Sequence, residues 1–257
     1  MFSEKMTWGA IPDGFQKVTD KLGNRLVVRQ DRQGEIDSSI CLINGDQTQH
    51  PVYRGRGTLW TIKLADGETA LIRGYRHGGV FRAITRECFF TWPPRPFREL
   101  SVTEELRRRG LRTVEVYAAC VERICGPFYR GWLVTKELSA AQDLWAALQN
   151  GSVEKAGMTT VLRSVADSVG LMHREGVYHR DLNAKNILLR SAPDGVHSYI
   201  IDFDKALLFF GKLPIELAKK NLDRLLRSVR KLDPERKYFT TAAWDEFVNL
   251  YYESYPS

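Results

Sequence analysis

The stretch His179-Arg180-Asp181-Leu182-Asn183-Ala184-Lys185-Asn186, followed by Asp202-Phe203-Asp204, decides how the rest of this chain is read. It sets an aspartate, an asparagine five residues on and a second aspartate sixteen beyond that among apolar, strand-like segments. Upstream, Val161, Leu162, Val165, Val169 and Met172 fall at helical spacing, and Gly176 is suited to ending that helix. Val177-Tyr178 leads into the motif. Ile187-Leu188-Leu189 and Tyr199-Ile200-Ile201 read as two short strands around a Pro193-Asp194-Gly195 turn. A hairpin brings its ends together, so Asp181, Asn186 and Asp202 are expected to converge.

Those side chains define a chemistry. Asp181 can accept a hydrogen bond from a hydroxyl and take its proton. Asn186 offers a neutral carbonyl oxygen and Asp202 a carboxylate, both hard donors suited to Mg²⁺. The ordered set is what transfer of a phosphoryl group from a nucleoside triphosphate requires. His179 and Arg180 are read as bracing the loop.

Such chemistry needs partners upstream. Tyr53-Arg54-Gly55-Arg56-Gly57-Thr58-Leu59-Trp60 can form a turn in which Gly55 and Gly57 let backbone amides approach phosphate oxygens, although Gly-x-Gly by itself is a weak signal. Thr69-Ala70-Leu71-Ile72-Arg73 reads as a strand ending in a cation. Pro96-Phe97-Arg98-Glu99-Leu100 opens a helix whose last turn carries Arg107, Arg108 and Arg109 before Gly110. Glu99 is the expected partner of Arg73, with Glu104 and Glu105 as alternatives. Trp132-Leu133-Val134-Thr135-Lys136-Glu137-Leu138 reads as a buried strand running into a connector.

This order of parts resembles the protein-kinase-like superfamily from about Tyr53 to Leu232. More narrowly it resembles the lipopolysaccharide core kinase family, in its branch of 3-deoxy-D-manno-octulosonic acid (Kdo) kinases. Besides the stretches above, the residues that carry it are Leu71-Ile72-Arg73-Gly74-Tyr75-Arg76-His77-Gly78-Gly79, Ile200-Ile201-Asp202-Phe203-Asp204-Lys205 and Asn221-Leu222-Asp223-Arg224-Leu225-Leu226-Arg227-Ser228. The resemblance implies an α+β, two-lobed fold forming one catalytic domain over 1–257. An antiparallel-sheet N-lobe would span about 1–135 and a mainly helical, shortened C-lobe about 139–257. It implies ATP and Mg²⁺ as cofactors, with Asp181 catalytic and Asn186 and Asp202 on the metal. Gly55, Gly57, Arg73, Glu99, Lys136, Glu137 and Leu138 would serve the nucleotide, the last three through backbone groups. Arg76, His77, Arg82, Lys185 and Asp204 are the candidates to meet the substrate. The implied acceptor is the 4-hydroxyl of a Kdo sugar on a lipid A precursor, at the cytoplasmic face of a Gram-negative inner membrane. A core heptose kinase and a non-catalytic nucleotide-binding relative are the alternatives. Arg73 stands where protein kinases use lysine, so either Arg73 or Arg76 could take that role. Trp60 stands in place of a third glycine.

The remainder narrows the acceptor. The sequence after Asp204 is short for an activation segment and peptide-docking helices, and no Ser, Thr or Tyr lies between Phe203 and Glu216. A protein substrate is therefore not expected, and Leu213-Pro214-Ile215-Glu216 reads as a proline-initiated helix start. In that helix Leu222, Leu225, Leu226, Val229 and Leu232 form an apolar face, with Lys220, Arg224, Arg227 and Lys231 opposite. Such a helix packs on a core or meets an anionic membrane surface. Trp244, Phe247, Val248, Tyr251 and Tyr252 mark a last amphipathic helix expected to pack inward.

A net charge of +7, from 38 basic and 31 acidic residues, suits anionic partners. The basic residues are dispersed without a nucleic-acid motif, so no nucleic-acid partner is expected. Cys120 and Cys125 are expected as buried thiols. No leader-like or membrane-spanning apolar run is seen, which predicts a cytoplasmic protein with at most peripheral membrane contact. Strand-like runs at Arg25-Leu26-Val27-Val28 and Ser39-Ile40-Cys41-Leu42-Ile43 are expected to extend the N-lobe.

Overall fold

In the computed structural model of this protein, which describes residues 8–37, 53–54, 58–75 and 88–255, the chain divides into two units. One comprises Met1–Glu105 and Glu115–Glu137, the other Leu106–Val114 and Leu138–Ser257. The second unit thus takes in Leu106–Val114, which sequence reading left with the first.

The first unit is built on strands β1 (Phe15–Thr19), β2 (Arg25–Arg29), β3 (Tyr53–Arg54), β4 (Thr58–Lys63), β5 (Thr69–Gly74), β6 (Val116–Cys125) and β7 (Phe128–Lys136). They form a seven-stranded sheet in the order β1-β2-β6-β7-β5-β4-β3, with every neighbouring pair antiparallel. Successive side chains point to opposite faces, so alternation sorts the apolar residues into two cores. Leu26, Val28, Ile72, Ala118, Cys120 and Val134 lie in one, while Val27, Ala119, Val121 and Leu133 lie in the other. Helix α1 (Arg95–Arg108) lays Phe97 and Leu100 on the second face. Gly131 makes that approach possible, because a Cβ there would overlap the ring of Pro96.

Three local outcomes differ from expectation. Trp60 sits inside β4 opposite Ile72, partly buried against the first core, so it belongs to a strand and not to a turn. Cys120 is disulfide-bonded, and Cys125 is an exposed thiol. The run Ser39–Ile43 lies outside the described residues.

The second unit contains β8 (Gln142–Asp143), helices α2 (Leu144–Gln149), α3 (Ser152–Ala156) and α4 (Met158–Arg174), then β9 (Val177–Tyr178). A hairpin of β10 (Ile187–Ala192) and β11 (Gly195–Ile200) follows, then β12 (Leu207–Leu208), α5 (Ile215–Leu232) and α6 (Thr241–Ser254). β10 pairs with β11 and β8 in one small sheet, and β12 pairs with β9 in another. Asp143 caps α2 through the Ala146 amide at 2.9 Å, and Thr240 caps α6 through that of Ala243 at 3.2 Å. α4 buries Val161, Leu162, Val165, Val169 and Met172, the positions its period selects. The aromatics of α6 divide: Phe247 and Tyr251 are buried, while Tyr252 is exposed. No helix among the described residues is long and apolar enough to cross a membrane.

Candidate active site

Within the second unit, the register Ile187↔Ile200 closes the hairpin ends against each other, and the Ile201 amide donates to the carbonyl of Asn186 at 3.0 Å. Asp202 follows immediately, which brings it beside Asn186. Asp181 is pinned through its backbone. Its amide donates to His179 Nδ1 at 3.2 Å, and its carbonyl accepts from Asn183 Nδ2 at 2.8 Å and from Asn186 Nδ2 at 2.9 Å. The residue itself is exposed. A fixed main chain with an outward carboxylate is what a general base needs.

The same bond orients Asn186. With its NH₂ group committed to the Asp181 carbonyl, the side-chain oxygen is the atom left to act as acceptor or ligand. Asp202 has φ +70°, a left-handed conformation uncommon outside glycine. Strain of that kind clusters where a side chain must be aimed. One amide oxygen and one carboxylate suit Mg²⁺, which is held by one or two protein groups together with phosphate oxygens. No cluster of three or more His, Cys, Asp or Glu able to hold a metal occurs among the described residues.

Behind this loop runs a buried hydrogen-bond chain that the residue reading missed. Asn221, on α5, accepts from the His179 amide at 3.0 Å and donates to the His179 carbonyl at 2.8 Å. Its oxygen also meets His173 Nε2 at 3.1 Å, and His173 Nδ1 meets the Tyr251 hydroxyl at 2.8 Å. The tautomers follow. An amide oxygen only accepts, so His173 carries its proton on Nε2 and accepts from Tyr251 through Nδ1. His179 accepts the Asp181 amide on Nδ1 and therefore donates from Nε2 to the Ile201 carbonyl at 3.0 Å. Burial holds both imidazoles neutral, lowering His179 and pushing His173 down to about 4. His179 thus ties the Asp181 loop to the residue before Asp202. α5 adds a second brace where Ser228 Oγ accepts the Ala184 amide at 3.2 Å. A polar residue at Asn221, next to the apolar stripe of α5, was the available signal.

In the first unit, Arg73 pairs with Glu99 at 2.6 Å, and Tyr75 also donates to that carboxylate. Glu99 is only 2% exposed, so its charge depends on these partners. Glu104 is engaged elsewhere, accepting the Val116 amide at 2.8 Å. Lys136 turns its ammonium to Glu68, which also accepts from Tyr117 and Arg32. The Lys136 amide donates to Glu115 at 2.9 Å and that of Glu137 to Thr69 at 2.8 Å, while the Leu138 carbonyl accepts from Ala141 at 3.2 Å. Lys185 is exposed. Asp204, expected to meet substrate, is instead buried at 5% exposure, because Asp202-Phe203-Asp204 turns inward where Phe203 packs on His179. Gly55, Gly57, Arg76, His77 and Arg82 lie outside the described residues.

The lipopolysaccharide kinase (Kdo/WaaP) family matches residues 47–251. The chain belongs to that family. It is 34% identical to a 3-deoxy-D-manno-octulosonic acid kinase of Pasteurella multocida (strain Pm70) over 183 residues, covering 69% of this chain and 73% of the relative. An enzyme of the same name from Xylella fastidiosa (strain M12) is 34% identical over 207 residues, covering 78% and 77% of the two chains. A third, from Vibrio vulnificus (strain YJ016), is 35% identical over 180 residues, covering 69% and 71%. Among solved structures, WaaP in complex with acyl carrier protein superposes with a TM-score of 0.54 at 22% identity, over 80% of this chain and 79% of that one. That likeness speaks to the fold, which is a kinase-like α+β fold. Membership of a kinase family carries with it the use of ATP.

Proposed function

We propose that this protein uses ATP to phosphorylate a Kdo sugar of the lipopolysaccharide core, at the 4-hydroxyl on a lipid A precursor. The observation that carries the chemistry is the braced Asp181–Asn186 loop, whose Asn186 carbonyl is bonded to the residue before Asp202 and whose Asn186 NH₂ group is committed to Asp181. The choice of Kdo is supported by the relatives, each named for that sugar.

In this reading Asp181 accepts the hydrogen bond of the sugar hydroxyl. As the hydroxyl oxygen bonds to the γ-phosphorus, the bond from phosphorus to the β,γ-bridging oxygen breaks. The hydroxyl proton passes to Asp181, and ADP leaves. Asn186 and Asp202 would hold Mg²⁺, which when bound neutralises charge on the triphosphate oxygens. Arg73, held by Glu99, would offer its guanidinium to phosphate, a planar fork where protein kinases present an ammonium. Because the Lys136 and Glu137 amides are engaged within the sheet, adenine would be read by the connector's remaining backbone groups. Lys185, exposed on the same loop as Asp181, would meet the anionic acceptor. Work on a lipid-linked sugar would put the enzyme peripherally at the cytoplasmic face of the inner membrane.

Purified protein with Mg²⁺ and γ-labelled ATP should label a Kdo-bearing lipid A precursor. Asp181→Ala should lower turnover by roughly 10²–10⁴-fold while retaining nucleotide binding. Label confined to heptosylated acceptors would sink the Kdo assignment. An Asp181→Ala variant as active as wild type would sink the mechanism.

A further inference from the structure

Between the Asp202 turn and α5, the chain displays a run of apolar side chains on a backbone that is not free to bury them. Leu207 is 43% exposed, Leu208 48% and Phe210 108%, with Ile215 exposed just beyond. Apolar loops usually fold such groups inward. Here the main chain is tied down on both sides of Phe210. The Ala206 amide donates to Phe203 at 2.9 Å, and Leu207 and Leu208 pair in register with Tyr178 and Val177. The Phe209 amide donates to Gly176 and the Leu213 amide to His173, each at 2.8 Å, and the Tyr255 hydroxyl donates to the Leu213 carbonyl. Gly176 is required for this docking, since a Cβ there would overlap the carbonyl oxygens of Phe209 and Gly211. The outward apolar side chains are therefore part of the folded design.

Charge identifies the occupant. From Lys205 to Lys220 the exposed charged residues are Lys205, Lys212, Lys219 and Lys220 against the single Glu216. Lys212 also lies over the Tyr255 ring at 4.4 Å, which holds its ammonium at the base of the segment. A short apolar crest flanked by lysines is too narrow for a protein interface of ordinary area. It matches the boundary between anionic headgroups and acyl chains, where leucine and phenylalanine enter and lysines stay at phosphate level.

We infer that Leu207–Phe210 is a membrane-insertion element that seats this enzyme on an anionic lipid surface. The inference rests on the lipid-linked acceptor proposed above and names the part of the chain that reaches the lipid. It also moves the membrane contact from the middle of α5, where the basic stripe suggested it, to the segment ahead of that helix.

The test compares wild type, Leu207→Ser/Leu208→Ser/Phe210→Ser, and Leu22→Ser, a leucine of the first unit more exposed than Leu207 or Leu208. Each is sedimented with vesicles of phosphatidylethanolamine and phosphatidylglycerol and with vesicles of phosphatidylcholine alone. Wild type and Leu22→Ser should bind the anionic vesicles, and the triple variant should bind roughly 10-fold or more weakly. The triple variant should keep wild-type activity on a water-soluble Kdo oligosaccharide and lose it on vesicle-borne acceptor. Equal sedimentation of wild type and triple variant overturns the inference, as does wild type that binds neither vesicle. Loss of activity on the soluble acceptor also overturns it, by making the segment part of the site. So does normal vesicle binding combined with lost binding to an acidic acyl-carrier protein. If wild type binds anionic vesicles through the segment but phosphorylates no Kdo acceptor, the proposed function fails and the lipid-binding surface stands.

Discussion

Asp202 shows at single-residue scale how stability and function compete. Its φ of +70° costs an L-residue with a Cβ about 1 kcal/mol or more, and glycine nothing comparable. Asp202→Gly and Asp202→Ala both delete the carboxylate, so their difference isolates the backbone term. The glycine variant should be the more stable by about 1 kcal/mol in urea denaturation, with both inactive. Equal stabilities would mean the conformation relaxes freely. Arg73 presents the converse case. Removing it strips a cationic partner from a carboxylate only 2% exposed, so Arg73→Ala should cost on the order of 3 kcal/mol. Much of that should return in Arg73→Ala/Glu99→Gln. Unchanged stability of Arg73→Ala would show that the pair serves phosphate alone. Both residues were legible as candidates from their chemistry. Glu99 receives Arg73 as expected, and packing removes the alternative by giving Glu104 to the Val116 amide.

At the scale of elements, α4, α5 and α6 meet in the His173–Asn221–Tyr251 chain that holds the Asp181 loop. Burial lowers His173 from 6.5 to about 4. Between those values the unfolded chain binds a proton that the native chain refuses, so native stability rises with pH. This contribution is complete above pH 6.5, falls progressively as pH drops towards 4, and amounts to about 3 kcal/mol over that window. Thermal denaturation between pH 7 and 4 should show the fall, and His173→Gln should flatten it. An unaltered slope in that variant would assign the effect to other groups. The elements themselves were readable: α4 from its period, the β10–β11 hairpin from its turn, the start of α5 from Pro214. The chain of polar contacts between them was not, since it joins residues 173, 179, 221 and 251, whose proximity no local pattern encodes.

For the whole molecule, the net charge of +7 is a long-range term acting on an anionic acceptor. Raising ionic strength should increase KM for the lipid-linked acceptor several-fold with little change in kcat, because screening weakens encounter more than the short-range contacts of the bound state. Steady-state kinetics across a salt series would check this. A fall in kcat with constant KM would place the salt effect on the chemical step instead.

Chemistry and order were determined by sequence alone. The spacing of Asp181, Asn186 and Asp202, the period of α4 and the alternation in β2 and β5 are all local properties. Local geometry repeats with a fixed period, so these can be read along the chain. Tertiary structure decided which polar groups meet and which apolar groups do not. It set Asn221 behind His179, turned Asp204 inward and left Leu207, Leu208 and Phe210 outside. Each of those outcomes depends on backbone positions fixed by distant hydrogen bonds and close packing, such as the approach of Phe209 and Gly211 to Gly176.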